Sequence, residues 1–496
     1  MLQAIADSPR HKWWVFGTIA IGIFFSVVDH GSVLVALPEI EAHFGADLPT
    51  VQWVVVGYSL VISVLLLPVG KLADIVGLKR VYVAGLVVYL VSAIVSGFAV
   101  NMTMLITARV FQGIGSAMMQ GIAMAMIISA FPSNERGKAL GSNMSVVGSG
   151  AIAGPALGGF LVSALGWRSV FFVNIPVGII TILASILILE RGQPGKERAD
   201  GKNVSFDWLG AVLSGVVLLL FLLVVTNGDR FGWTSHLVLG GVFLFLALAV
   251  AFVWWELRVA VPMLELRLFQ RKLVAMGVAA GGVSFFGGTA LRFMAPFYLQ
   301  RLLGLSPLEV GLLMIPAAVC MILFGPVSGR LSDKFGWRGL TMSGMALSAI
   351  AAFTLASTLA DNSPALLIVA MLMLQSTGMG LFNSPNNSSI FSAVEPSSYG
   401  VVSALTQLVR NSANVLGVAL TTTVVVTVMG LRGAEPSLDA VSPQIADAFV
   451  AGLRVAFLIL GVFTTLGLVI TFLRGERAKP VPSQMARPRA SGATSD

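Results

Sequence analysis

Long apolar runs alternate along this chain with short polar, glycine-rich interruptions. Runs of roughly 20 apolar residues, enough to cross a bilayer as helix, fall at about 14–37, 51–70, 81–100, 104–129, 139–163, 170–189, 207–226, 236–256, 273–298, 308–328, 340–359, 365–385, 401–428 and 452–473. The pattern predicts an all-α polytopic membrane protein with fourteen transmembrane helices. One run stands apart, Gly150-Ala151-Ile152-Ala153-Gly154-Pro155-Ala156-Leu157-Gly158-Gly159. Its glycines at i, i+4 and i+8 leave one helix face as bare backbone, open to close approach by a neighbour, and Pro155 removes a donor and favours a bend. Such a stretch is a poor helix in water, and a membrane, which offers its backbone no water to bond, makes it one.

Composition agrees with the pattern. Of 496 residues, 56% are hydrophobic and only 11% charged, against about 25% charged in soluble domains. With both termini placed in the cytoplasm, 23 of the 31 Lys and Arg fall in inner loops and tails, and only Arg168, Arg230, Arg301 and Arg432 fall outside. That asymmetry predicts cytoplasmic N- and C-termini in a cell membrane, most simply a bacterial inner membrane. The net charge of +8 is then topological and gives no reason to expect nucleic acid. The first apolar run is too long for a signal-peptide core and reads as a retained span. A single cysteine, Cys320, and four scattered histidines offer no metal-ligand spacing, and no metal or cofactor is expected.

A repeat divides the chain. Gly70-Lys71-Leu72-Ala73-Asp74-Ile75-Val76-Gly77 returns as Gly329-Arg330-Leu331-Ser332-Asp333-Lys334-Phe335-Gly336, with Gly, Leu, Asp and Gly each displaced by 259 residues. The expected organisation is a cytoplasmic N-terminus (1–13), a six-helix half (14–189), linkers with two inserted spans (190–272), a second six-helix half (273–473) and a disordered cytoplasmic tail (474–496). Parallel repeats of this kind build many secondary transporters, with the substrate site between the halves near the midplane.

Several motifs make the chain resemble the major facilitator superfamily, and within it the fourteen-span drug/proton antiporters, over roughly residues 14–473. They are the Gly70 to Arg80 loop, the span-4 run through Arg109-Val110-Phe111-Gln112-Gly113, and the Gly150 to Gly159 run of antiporters. Val51 to Tyr58, Trp167-Arg168, Asn174-Ile175-Pro176 and Phe297 to Gln300 are also similar. The resemblance implies two six-helix halves in the major facilitator fold, alternating access, and a monomer carrying small molecules and protons through the lipid bilayer. Gating is implied for Gly70, Asp74, Gly77, Arg80, Asp333 and Arg338, and a hinge for Gly150, Gly154, Pro155, Gly158 and Gly159 at the boundary between two moving halves.

Asp29 is the acid that lies deep in a span. An ionised carboxylate there costs about 3 kcal/mol on insertion scales, so it faces a cavity, pairs with a cation or carries a proton; a shorter first span would make it a boundary residue. The family pattern Asp-x-Thr-x-x-Asn-Val-Ala-Leu-Pro reads here Asp29-His30-Gly31-Ser32-Val33-Leu34-Val35-Ala36-Leu37-Pro38, so Gly31 and Leu34 replace its polar Thr and Asn. Arg109 in span 4 is by resemblance the partner of that acid in proton coupling, and otherwise a fixed structural pair. His30 points about 100° from Asp29 and reads as a packing residue. Asp74 and Asp333, placed at the start of the helices after their loops, can cap backbone donors and pair with Lys or Arg across the cytoplasmic face.

Candidate cavity residues are Asp29, Tyr58, Gln112, Arg292, Gln375, Asn383 and Asn387. Arg292, in the middle of span 9, has three readings: a partner for Asp29, a contact for an anionic or zwitterionic substrate, or a side chain snorkelling to the interface. Arg410 matches a family arginine of span 13 or anchors that span near the cytoplasmic end. Amides at 375, 383, 386 and 387 line a wet pocket or join helices. No phosphate-binding loop or nucleophile elbow appears, so neither an ATP-driven pump nor an enzyme is expected. The leading expectation is a proton-coupled exporter of amphipathic drugs or other small organic compounds. The alternatives are a transporter of one anionic or zwitterionic metabolite, and a membrane receptor or scaffold without transport.

Overall fold

The computed structural model describes residues 11–46, 48–189, 206–259, 262–305, 307–434 and 443–474. Residues 1–10, most of the first linker and the tail from Gly475 lie outside them. The apolar runs become helices α1 (His11–Phe44), α2 (Leu48–Val76), α3 (Leu78–Gly97), α4 (Met102–Ala130) and α5 (Arg136–Leu165). Span α6 (Ser169–Ile188) completes the first half. The inserted pair is α7 (Trp208–Phe231) and α8 (His236–Glu256), and the second half is α9 (Lys272–Phe297), α10 (Pro307–Phe335), α11 (Arg338–Thr358), α12 (Ala365–Phe391), α13 (Tyr399–Leu431) and α14 (Ala446–Leu473). All fourteen are long and apolar enough to span a membrane. Because the number of spans is even, His11 and Arg474 lie on one face, called here the terminal face; the other is the distal face.

Each half packs its own six helices, and the halves meet along two seams, α2 and α4 against α13, and α5 against α10 and α12. Helix α7 lies across the first seam, touching both α2 and α13, and α8 packs mainly on α7 with its other sides bare.

The repeated loops explain how the seams close. At Gly77 and Gly336 the backbone turns with φ of 107° and 91°, a conformation glycine adopts without strain. One residue therefore separates α2 from α3, and two separate α10 from α11. This leaves Asp74 and Asp333 in the last turns of α2 and α10 rather than at the starts of the next helices. Each carboxylate reaches across to the other half. Asp74 accepts from Gly400 N and Val401 N at 2.9 and 3.0 Å, and Asp333 accepts from Gly137 N and Lys138 N at 2.9 Å each. The free amides that open α13 and α5 are thus capped by the opposite half. Backbone, not a Lys or Arg side chain, is the partner, which corrects the expected cross-face ion pairs.

Glycine makes that reach possible. A Cβ on Gly70 would fall 2.8 Å from Gly400 O, and one on Gly137 would fall 2.6 Å from Gly329 O. Gly141 likewise packs directly on Gly325 and Pro326. Ser384 Oγ donates to Gly137 O at 2.6 Å and Ser145 Oγ to Ile322 O at 2.5 Å. These contacts all sit toward the terminal face, so that side is sealed.

The 150–159 ladder does not face this seam. A Cβ on Gly154 would meet Gly31 Cα at 3.1 Å, Gly150 packs on Val27, Gly158 on Ser32, and Ser32 Oγ donates to Gly154 O at 2.8 Å. All of these partners belong to α1, within the same half, and Gly159 faces open space. Helix α5 runs on through Pro155. The boundary-hinge expectation is therefore corrected: the ladder fixes α5 on α1, and Gly137 and Gly141, in the first two turns of the helix, meet the other half.

Candidate functional site

Asp29 lies eighteen residues into α1, where α4 and α6 pack against it. Arg109 Nη1 donates to Asp29 Oδ2 at 2.8 Å, and both side chains are 0% exposed. Asn174 Nδ2, from the start of α6, donates to Asp29 Oδ1 at 2.9 Å, and Gln112 Nε2 approaches the same oxygen at 3.4 Å. Arg109 is held in turn. Its Nε donates to Val54 O at 3.1 Å, Nη1 also donates to Gln112 Oε1 at 2.7 Å, and the guanidinium lies 4.2 Å from the Tyr58 ring centroid. Only Nη2 is buried without a partner. A buried charge is tolerated when paired and hydrogen-bonded, and this one meets both conditions.

Tyr58 links the pair to the second half. Its hydroxyl donates to Ser116 Oγ at 2.9 Å, beside Ser26. Gln120 Nε2 donates to the same Ser116 oxygen at 2.7 Å, and Gln407 Nε2 of α13 donates to Gln120 Oε1 at 3.3 Å. A polar chain thus runs from Arg109 to the seam. His30 stacks on Tyr58 with centroids 5.9 Å apart and takes no part in the acid's hydrogen bonds.

The other expected residues separate into three groups. Gln112 and Tyr58 join the Asp29 cluster. Arg292 does not: the described partners of Asp29 are Arg109, Asn174 and Gln112, which corrects the reading of Arg292 as that acid's partner. Asn383 and Asn387, with Asn386, border a small cleft of about 20 Å³ between α9, α12 and α13. Asn386 is already engaged, accepting from Arg474 Nη1 at 2.6 Å and donating to Gly277 O at 3.0 Å. Gln375 stands 263 residues after Gln112, the offset that also relates Gly400 to Gly137. Its Nε2 lies 3.0 Å from where a Cβ of Gly288 would be. The second half thus repeats the glutamine but sets glycine beside it where the first half has the acid.

Two gate assignments find no seam. Arg80 is exposed and pairs with no described residue. Arg338 donates to Phe472 O at 3.1 Å, within its own half. Arg410 lies eleven residues into α13, its guanidinium 5.5 Å from the Phe285 centroid of α9, well inside the bundle rather than at the interface. The sequence offers Asn174 only as part of a motif, with no sign of its bond to Asp29, and gives no sign of the Gln120–Gln407 contact. The 263-residue offset pairing Gly137 with Gly400 was the available signal for the second side of each seam.

Comparison with known proteins follows this geometry. The family model described as Major Facilitator Superfamily matches residues 19–418. The chain is 33% identical over 410 residues to a riboflavin transporter of Clostridioides difficile, covering 83% of this chain and 87% of that one. It is 30% identical over 477 residues to a multidrug transporter of Bacillus subtilis, covering 94% and 84%. Among solved structures, the proton:xylose symporter XylE shares the fold with a TM-score of 0.66 at 13% identity, covering 93% of this chain and 95% of that one. With two six-helix halves, two inserted helices and these relatives, the chain belongs to the major facilitator superfamily of membrane transporters.

Proposed function

We propose that this protein is a proton-coupled exporter of small organic compounds, working by alternating access with its terminal face in the cytoplasm. The Asp29–Arg109 pair carries the reading: an acid and a guanidinium fully buried at membrane depth, bridged by Gln112 and with Asn174 on the acid. Intramembrane ionisable residues are expensive to keep and mark ion or proton pathways. The excess of Lys and Arg in loops of the terminal face supports the orientation.

In this mechanism the sealed terminal face is one end of the cycle. A proton arriving on Asp29 removes the charge that Arg109 faces. The guanidinium then shifts on Tyr58, and the chain through Ser116 and Gln120 passes the shift to Gln407 of α13. Opening the terminal face breaks the four bonds made by Asp74 and Asp333, and closing remakes them. The cost of opening is met by substrate and proton binding differently to the two states.

The test is transport in inverted membrane vesicles. Drug uptake driven by an imposed proton gradient is expected from the natural protein and is expected to vanish in Asp29→Asn, with downhill exchange retained. Uphill uptake by a folded Asp29→Asn protein sinks the reading. A defined metabolite as cargo is the second reading, favoured by the two arginines described next and by the relative named a riboflavin transporter.

A further inference from the structure

Two arginines within the spans of the second half pair with no acid among the described residues. Arg292 lies twenty residues into α9 and Arg410 eleven into α13, about 30 and 17 Å from the terminal ends of their helices at 1.5 Å per residue. Neither makes an ion pair or a hydrogen bond with any described residue, and both are partly buried.

Their surroundings are donors. Thr289 Oγ1 donates to Asn414 Oδ1 at 2.5 Å. Thr289 precedes Arg292 by three residues and Asn414 follows Arg410 by four, so this bond fastens the two helices between the arginines. It also uses the oxygen of Asn414 and leaves its amide nitrogen to donate. The Gln375 amide lies beside Gly288, one turn before Arg292. Asp29, the acid that might have balanced these cations, has its oxygens occupied by Arg109, Asn174 and Gln112. At the repeat offsets the two arginines correspond to Val33 and Val147, so the cations belong to the second half alone.

Two uncompensated guanidiniums at this depth are costly, and an anion docked between them offsets that cost with charge-assisted, bidentate contacts. We propose that Arg292 and Arg410, assisted by Asn414 and Gln375, form an anion subsite of the transport pathway, and that the carried compounds bear a carboxylate or a similar compact oxyanion. The proposal rests on the transport reading above and narrows its substrate class. Charge is divided between the halves: the acid that exchanges a proton in one, the cations that hold the substrate in the other.

Equilibrium binding to the purified full chain tests it, with carboxyfluorescein, salicylate and phenylphosphonate as anions, ethidium as a cation and chloride as an inorganic control. Saturable binding of at least one organic anion is expected, weakened about tenfold or more in Arg292→Gln and in Arg410→Gln and partly recovered with lysine at either place. Ethidium is expected to bind the glutamine variants more tightly than the natural protein. Unfolding temperatures without ligand separate misfolding from lost binding; each glutamine variant is expected to melt no lower than the natural protein, because an unpaired buried cation has been removed. Failure of all three organic anions to bind, binding of ethidium or chloride alone, or anion affinities unchanged in well-folded glutamine variants overturns the proposal. Arginine-dependent binding of an anion that no proton gradient moves would refute the transport reading and leave the subsite standing. Gradient-driven movement of ethidium alone would do the reverse.

Discussion

Removing one seam cap is expected to unseal the terminal face by an amount that follows from the geometry. In Asp333→Ala, Gly137 N and Lys138 N lose acceptors at 2.9 Å, and the positive end of α5 loses its carboxylate. A hydrogen bond to a charged group contributes about 1.5–3 kcal/mol net. Water reaches these amides once the face opens, and the site is only partly buried, so the combined loss is discounted to about 2 kcal/mol. That moves the closed-to-open balance roughly 30-fold, at about 1.4 kcal/mol per factor of ten. Ser384 is a suitable reporter, being buried on the α5–α12 seam with its hydroxyl on Gly137 O. With Cys320 replaced by serine and Ser384 by cysteine, a membrane-impermeant thiol reagent applied from the terminal side reads the open fraction. Labelling about 30-fold faster in the Asp333→Ala background is expected, with little change when reagent is applied from the distal side. An unchanged rate in folded protein, or faster labelling from the distal side only, would refute the seam argument.

Two further outcomes follow from packing. Gly329→Val sets a branched side chain against Gly137 and Lys138 backbone where even a Cβ finds no room, so the same labelling assay is expected to report a face that scarcely closes, beyond the effect of Asp333→Ala. Arg474→Ala removes the bonds to Leu273 O, Asn386 Oδ1 and Ser389 Oγ that tie the end of α14 to α9 and α12. A loss of about 3 kcal/mol in the stability of the second half is expected, read as a lower unfolding temperature with proton coupling per substrate unchanged in the surviving protein.

Much of this architecture was legible in the chain because hydrocarbon imposes strict demands. A backbone with no water must close its own hydrogen bonds, so each apolar run of the right length announces a helix, and a repeat such as Gly70/Asp74/Gly77 with Gly329/Asp333/Gly336 announces two halves. Asp29 and Arg109 stood out for the same reason: charge in an apolar run is rare. What stayed hidden depends on which helix faces which. Asp74 and Asp333 find main-chain amides of the opposite half, and an amide donor has no residue signature. The 150–159 ladder declares a close approach but not its partner, and α1 rather than the second half supplies it. Asn174 joins the site only because α6 packs on α1. For Arg410 the sequence leaves two readings, a family arginine or an interface anchor; eleven residues of helix carry it inside the bundle and disfavour the anchor.

The most direct measurement of the central claim is proton release on substrate binding, followed with a pH dye in weakly buffered detergent solution. Substrate and proton competing through Asp29 require the natural protein to release protons when a transported compound binds, and the folded Asp29→Asn protein to bind the compound with no release. Equal proton release from both proteins, or none from the natural protein at saturating substrate, would contradict the account.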